Sequence, residues 1–66
     1  MYIVVKVTKK TVNDYGQIYR FKFISRKING IYVSDDNNNK GFVCFDDFEF
    51  VNGGDKEWVL KQPIQF

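Results

Sequence analysis

The sequence predicts an all-β protein, a small barrel or rolled antiparallel sheet of five to six short strands. Three observations predict it. Alanine is absent from the 66 residues, while β-branched and aromatic side chains, which suit a pleated and half-buried surface, dominate. Apolar and polar residues alternate with period two in the longest runs. Clusters of Asn, Asp and Gly punctuate those runs as turns do.

The first run, "YIVVKVTK", puts Ile3, Val5 and Val7 on one face and Val4, Lys6 and Thr8 on the other. "VNDYGQ" then supplies turn chemistry through Asn13, Asp14 and Gly16. In "QIYRFKFISRK", Tyr19, Phe21 and Phe23 point inward and Arg20 and Lys22 outward, and the fading apolar face at Ile24–Ser25 predicts a bend or bulge. Asn29–Gly30 is the strongest hairpin signal, and a type I′ turn there pairs Ile28 with Ile31 and Ser25 with Ser34. "GFVCFDDFEFV" forms the next strand, with a break expected at Asp46–Asp47. "NGGD" punctuates, "EWVLK" reads as a final strand, and no helix is expected. Residues 1–62 thus make one small β domain, and residues 63–66 an extended tail that Pro63 opens, with Ile64 and Phe66 tucked onto the domain. The order of long hairpin, NG hairpin, polar hairpin and short last strand resembles an SH3-like barrel.

A chain of this length buries only about 60% of the surface it exposes when unfolded. Aromatic residues make up 18% of it, more than one small core readily hides, so a homodimer would complete the burial. Cys44 is the single cysteine, which excludes an internal disulfide and favours a reducing, cytoplasmic setting. The apolar start is too short for a signal peptide, and no run approaches the ~20 residues of a membrane span.

Charge divides by halves. Residues 1–30 carry seven basic side chains against one acid, a net +6, and residues 31–66 carry three against seven, a net −4. The basic set is Lys6, Lys9, Lys10, Arg20, Lys22, Arg26 and Lys27, and Asp46, Asp47 and Glu49 mark an acidic edge. The expected registers set Lys6 opposite Arg20 or Lys22, and such like-charge pairing persists best when solvated or met by an anion. Aromatics interleave with the cations in "YRFKF", although strand parity sends Tyr19, Phe21 and Phe23 to the other face from Arg20 and Lys22.

Reactive chemistry is scarce. With no histidine, the usual triads and zinc sites are excluded. Cys44 lies among apolar and acidic neighbours and reads as a small buried hydrophobe. Asp46 and Asp47, adjacent in a strand, would point to opposite faces. "NGGD" lacks the lysine of a phosphate loop.

"SDDNNNKG" comes nearest to a metal loop. Counted from Asp35, oxygen donors fall at positions 1, 3, 5 and 12 of a calcium loop, but Lys40 stands where glycine is required. Counted from Asp36, Lys40 itself takes a ligand position. The expected reading is a solvated hairpin tip, with no metal and no cofactor.

The chain is therefore expected to be a non-enzymatic module that binds a protein partner. Its small size and its composition rich in Lys, Asn, Ile and Phe resemble the small accessory proteins of phages and prophages. That resemblance implies stoichiometric inhibition of a host enzyme or defence protein. The alternative is nucleic-acid binding through the seven basic residues.

Overall fold

The computed structural model describes residues 1–65. Its strands are β1 (Tyr2–Val7), β2 (Ile18–Lys27), β3 (Gly30–Ser34), β4 (Lys40–Cys44) and β5 (Phe48–Phe50). A helix, α1 (Gly53–Leu60), follows. The strands form one antiparallel sheet in the order β4-β3-β2-β1-β5. Strands β4 and β5 therefore lie on opposite edges, yet only the 3₁₀ turn Phe45–Asp47 joins them. In a flat sheet those edges would stand about 19 Å apart, at roughly 4.8 Å per strand. Four extended residues reach about 14 Å at most. The sheet has to roll. This is the small rolled all-β architecture that the strand spacing predicts.

Rolling gives the sheet a concave face, and the period-two pattern fills it. Ile3 and Val5 of β1, Ile31 and Val33 of β3, and Phe48 of β5 are buried there, with Phe21, Phe23, Val43, Phe45 and Phe50 packed around them. Each fully buried Val or Ile contributes roughly 1.5–3 kcal/mol. Tyr19 shares this face but lies at its rim, exposed, and stacks on Phe21 with ring centroids 5.5 Å apart.

Helix α1 replaces the final strand expected over "EWVLK". A short apolar run does not by its periodicity separate strand from helix. Tertiary and local contacts decide it here. Val59 is fully buried in the core, and Trp58 meets Phe23 edge-on at 5.2 Å. Glu57 and Lys61 pair at 3.0 Å across one turn. Asp55, in the first turn, accepts the Val4 backbone N–H at 3.1 Å, next to the point where Val51 N–H bonds the Val4 carbonyl. The helix thus ties itself to the strand beside it.

The second hairpin also differs from expectation. Its turn is Ile28–Asn29, with Lys27 opposite Gly30 and Arg26 opposite Ile31. Positive φ occurs only at Gly16 and Asn38 among the described residues, so Gly30 is not there for a left-handed turn. It is there for space. A Cβ on Gly30 would lie 2.3 Å from the Val43 carbonyl oxygen and 2.5 Å from the Phe42 ring. The bulge expected at Ile24–Ser25 is present, as a register shift between Phe23 and Ser25. The break in the next run is the 3₁₀ turn. In the tail, Ile64 bridges Arg26 in parallel, and Gln65 N–H bonds the Arg26 carbonyl at 2.8 Å. The expectation for Phe66 lies outside the described residues.

Two glycine substitutions test this packing in opposite directions. Gly30→Ala is expected to lose about 1–3 kcal/mol through overpacking. At Gly54, in the helix, a Cβ meets nothing within 4 Å, and Gly54→Ala is expected to gain about 0.5–1 kcal/mol. Urea unfolding midpoints check both signs.

Candidate binding surface on the convex face

The residues that alternate with the core set form the convex face, and register decides which of them meet. Tyr2 lies opposite Lys22, Val4 opposite Arg20, and Lys6 opposite Ile18 on one side and Glu49 on the other. The expected pairing of Lys6 with Arg20 or Lys22 is therefore corrected, and the like charges are staggered rather than opposed. Tyr2 fills the gap between them. The Arg20 guanidinium sits 3.8 Å from the Tyr2 ring centroid, and the Lys22 ammonium lies 5.9 Å from it. A cation over an exposed ring gains about 0.5–1 kcal/mol. The row continues across the sheet, because Lys22 faces Ser34 and Ser34 faces Lys40. In the next row Phe42 of β4, 48% exposed, lies opposite Tyr32.

The seven basic residues thus do not act together. Lys6, Arg20 and Lys22 share the convex face and are exposed, and Lys27 is half-buried on that same side, opposite Gly30. Lys9 and Lys10 lie beyond the end of β1, in the long 8–17 loop.

Arg26 belongs to the core face. The bulge after Phe23 shifts register, so Arg26 falls opposite the buried Ile31. From there its Nη1 donates to the Leu60 carbonyl at 2.9 Å, which ties β2 to the C-terminal end of the helix. Its Nε is buried and meets no acceptor among the described residues.

The acidic edge is dispersed as well. Glu49 reaches the convex face beside Lys6, Asp46 is exposed on the 3₁₀ turn, and the Asp47 carboxylate lies 3.7 Å from the Lys9 ammonium. Among the described residues, Lys9–Asp47 and Lys61–Glu57 are the ion pairs. Arg20, Lys22 and Lys40 have no carboxylate partner among those residues. Cys44 is half-buried rather than buried, on the side opposite Val43.

Reading residues singly misses Tyr2, Lys40 and Phe42. Parity already places Tyr2 with Val4 and Lys6. Cross-strand register is what brings it to Arg20 and Lys22.

The 35–39 loop spends its carboxylate on itself. Asp35 Oδ1 accepts the backbone N–H groups of Asn37 at 2.8 Å and Asn39 at 2.9 Å, and Oδ2 accepts from Asn39 Nδ2 at 3.1 Å. Asn38 takes the left-handed conformation, with φ 63°, that closes the tip. The Asn39 backbone bond, then the Asn39 side-chain bond, hold the Asp35 carboxyl below its ordinary value of 3.8. A group whose pKa is lower folded than unfolded stabilises above the unfolded value, and that contribution is lost as pH falls through the folded one. Carboxyl NMR titration is expected to place the Asp35 midpoint below 3.8, with loop order lost only beneath it. A midpoint at or above that value would show that the loop bonds do not form.

No helix among the described residues is long and apolar enough to cross a membrane. No family model, curated protein or solved structure matches this chain.

Proposed function

We propose that this chain is a non-enzymatic binding module whose working surface is the convex face. Its partner, in this reading, is a single strand of nucleic acid in the cytoplasm. The observation that carries the reading is Tyr2 lying with Arg20 and Lys22 on one exposed face. Binding of single strands combines cations that follow the phosphates with planar groups on which bases stack. The sequence separates its obvious aromatics from its cations by strand parity, which favours a protein partner. Tyr2 and Phe42 supply a second set of aromatics on the cationic side. That exchange raises nucleic acid above a protein partner.

The choice between the charged surfaces follows from what lies beside them. Asp47 is engaged by Lys9, while Asp46 and Glu49, like Arg20, Lys22 and Lys40, lie in no ion pair among the described residues. The cations are singled out by Tyr2, whose ring lies against Arg20 and Lys22. An anionic partner supplies what these cations lack.

Inhibition of a protein target, as the phage-type composition implies, is the second reading. Ile18 and Ile24, 60% and 43% exposed on β2 among the cations, favour it, because an apolar contact suits a protein surface. A homodimer through these residues belongs to the same reading.

Fluorescence anisotropy with an oligothymidylate across a salt series separates the two. Contact with three or four phosphates predicts a log–log salt slope of about −2 to −3, and Arg20→Ala with Lys22→Ala should reduce its magnitude by about 1.4. Tyr2→Ala should weaken binding by about 1–3 kcal/mol. Absence of binding at low salt would remove the nucleic-acid reading and leave the protein partner.

A further inference from the structure

A second surface lies at the mouth of the roll, on the core side of the sheet and under the 8–17 loop. A cleft of about 240 Å³ opens there, walled by Val5, Val7, Phe21, Val43 and Phe48. Its rim is different. Tyr19, Asp14 and Asp47 stand around the opening. Clefts for drug-sized ligands run about 300–1,000 Å³, so this one suits a single side chain or a small molecule. Apolar walls beside two carboxylates also select for sign of charge.

We propose that this cleft binds a small organic cation of the alkylammonium class, with its hydrocarbon chain against the apolar walls and its charged head between Asp14 and Asp47. Three observations support the assignment. First, the Asp14 carboxylate and the backbone that carries Asp47 are held in place, and both carboxylates keep free acceptor capacity. Asp14 Oδ2 accepts the Tyr19 hydroxyl at 3.1 Å, and the Asp47 backbone carbonyl accepts Thr8 N–H at 2.9 Å, which fixes the 3₁₀ turn against the end of β1. Second, the Tyr19 and Phe21 rings stack at the opening and offer π density to a cation. Third, the rim already attracts an ammonium. The chain's own Lys9 stands 3.7 Å from Asp47, with both side chains between a third and a half exposed. So exposed a pair is worth little, about 0–1 kcal/mol, and gives way readily to a ligand that also fills the cleft. This site shares none of its residues with the convex face, so its success or failure is independent of the function proposed above.

The test is amide-resolved NMR titration of the whole chain with n-butylammonium, using n-butanol and butyrate as neutral and anionic comparators. Saturable shifts at Val7, Tyr19, Phe21 and Val43 are expected with butylammonium, in the millimolar range typical of weak ligands, with butyrate inert. Asp14→Asn with Asp47→Asn keeps the shape and should weaken binding about tenfold, the equivalent of one strong charge-assisted contact. Lys9→Ala removes the internal competitor and should strengthen binding about two- to fivefold. Butanol binding as tightly as butylammonium would overturn the proposal, because the carboxylates would then play no part. Absence of saturable shifts, or affinities unmoved by the Asp and Lys9 substitutions, would also overturn it.

Discussion

The 3₁₀ turn Phe45–Asp47 is the constraint on which the rest depends. It joins strands on opposite edges of a five-stranded sheet with only three residues, so the sheet cannot lie flat. Once rolled, every strand has one face turned into a small core and one turned out. A chain of 66 residues can bury only part of its apolar surface, and the roll lets β1, β3 and β5 bury theirs against one another. The turn also carries Asp47 to the mouth of the roll, where it meets Lys9.

The core is covered on the side away from that mouth by α1. Two glycines begin the helix, each costing about 1 kcal/mol against alanine, so propensity does not hold it there. Burial of Val59, the Trp58–Phe23 contact, the Asp55–Val4 bond and the Arg26–Leu60 bond do. Those ties draw Arg26 and Asp55 into the structure. The charges left outside are consequently only part of the set that composition suggests, with Lys40 added to it. Arg20, Lys22 and Lys40 remain on the convex face, with Tyr2 beneath the first two.

Much of this is legible in the residues. Alternation in β1 and β2 assigns their faces, the fading pattern at Ile24 locates the bulge, and the Asn-rich tip is a self-bonded loop. Two things are not legible, for physical reasons. "EWVLK" is too short for its period to separate strand from helix, and contacts made far along the chain decide it. Gly30 carries two meanings, since glycine serves both positive φ and close approach. Here it serves the second, and a register counted from a type I′ turn is wrong from its first pair. The bulge then turns Arg26 inward, an inversion that parity alone does not show. Candidate residues on a sheet are therefore only as secure as its register.

A map of amide shifts on adding an oligothymidylate at low salt tests the convex face as the contact surface most directly. Shifts confined to Tyr2, Val4, Arg20, Lys22 and their neighbours Ser34, Lys40 and Phe42 are the predicted result. Shifts centred instead on the 8–17 loop and the 3₁₀ turn, or spread without a focus over both faces, would contradict it.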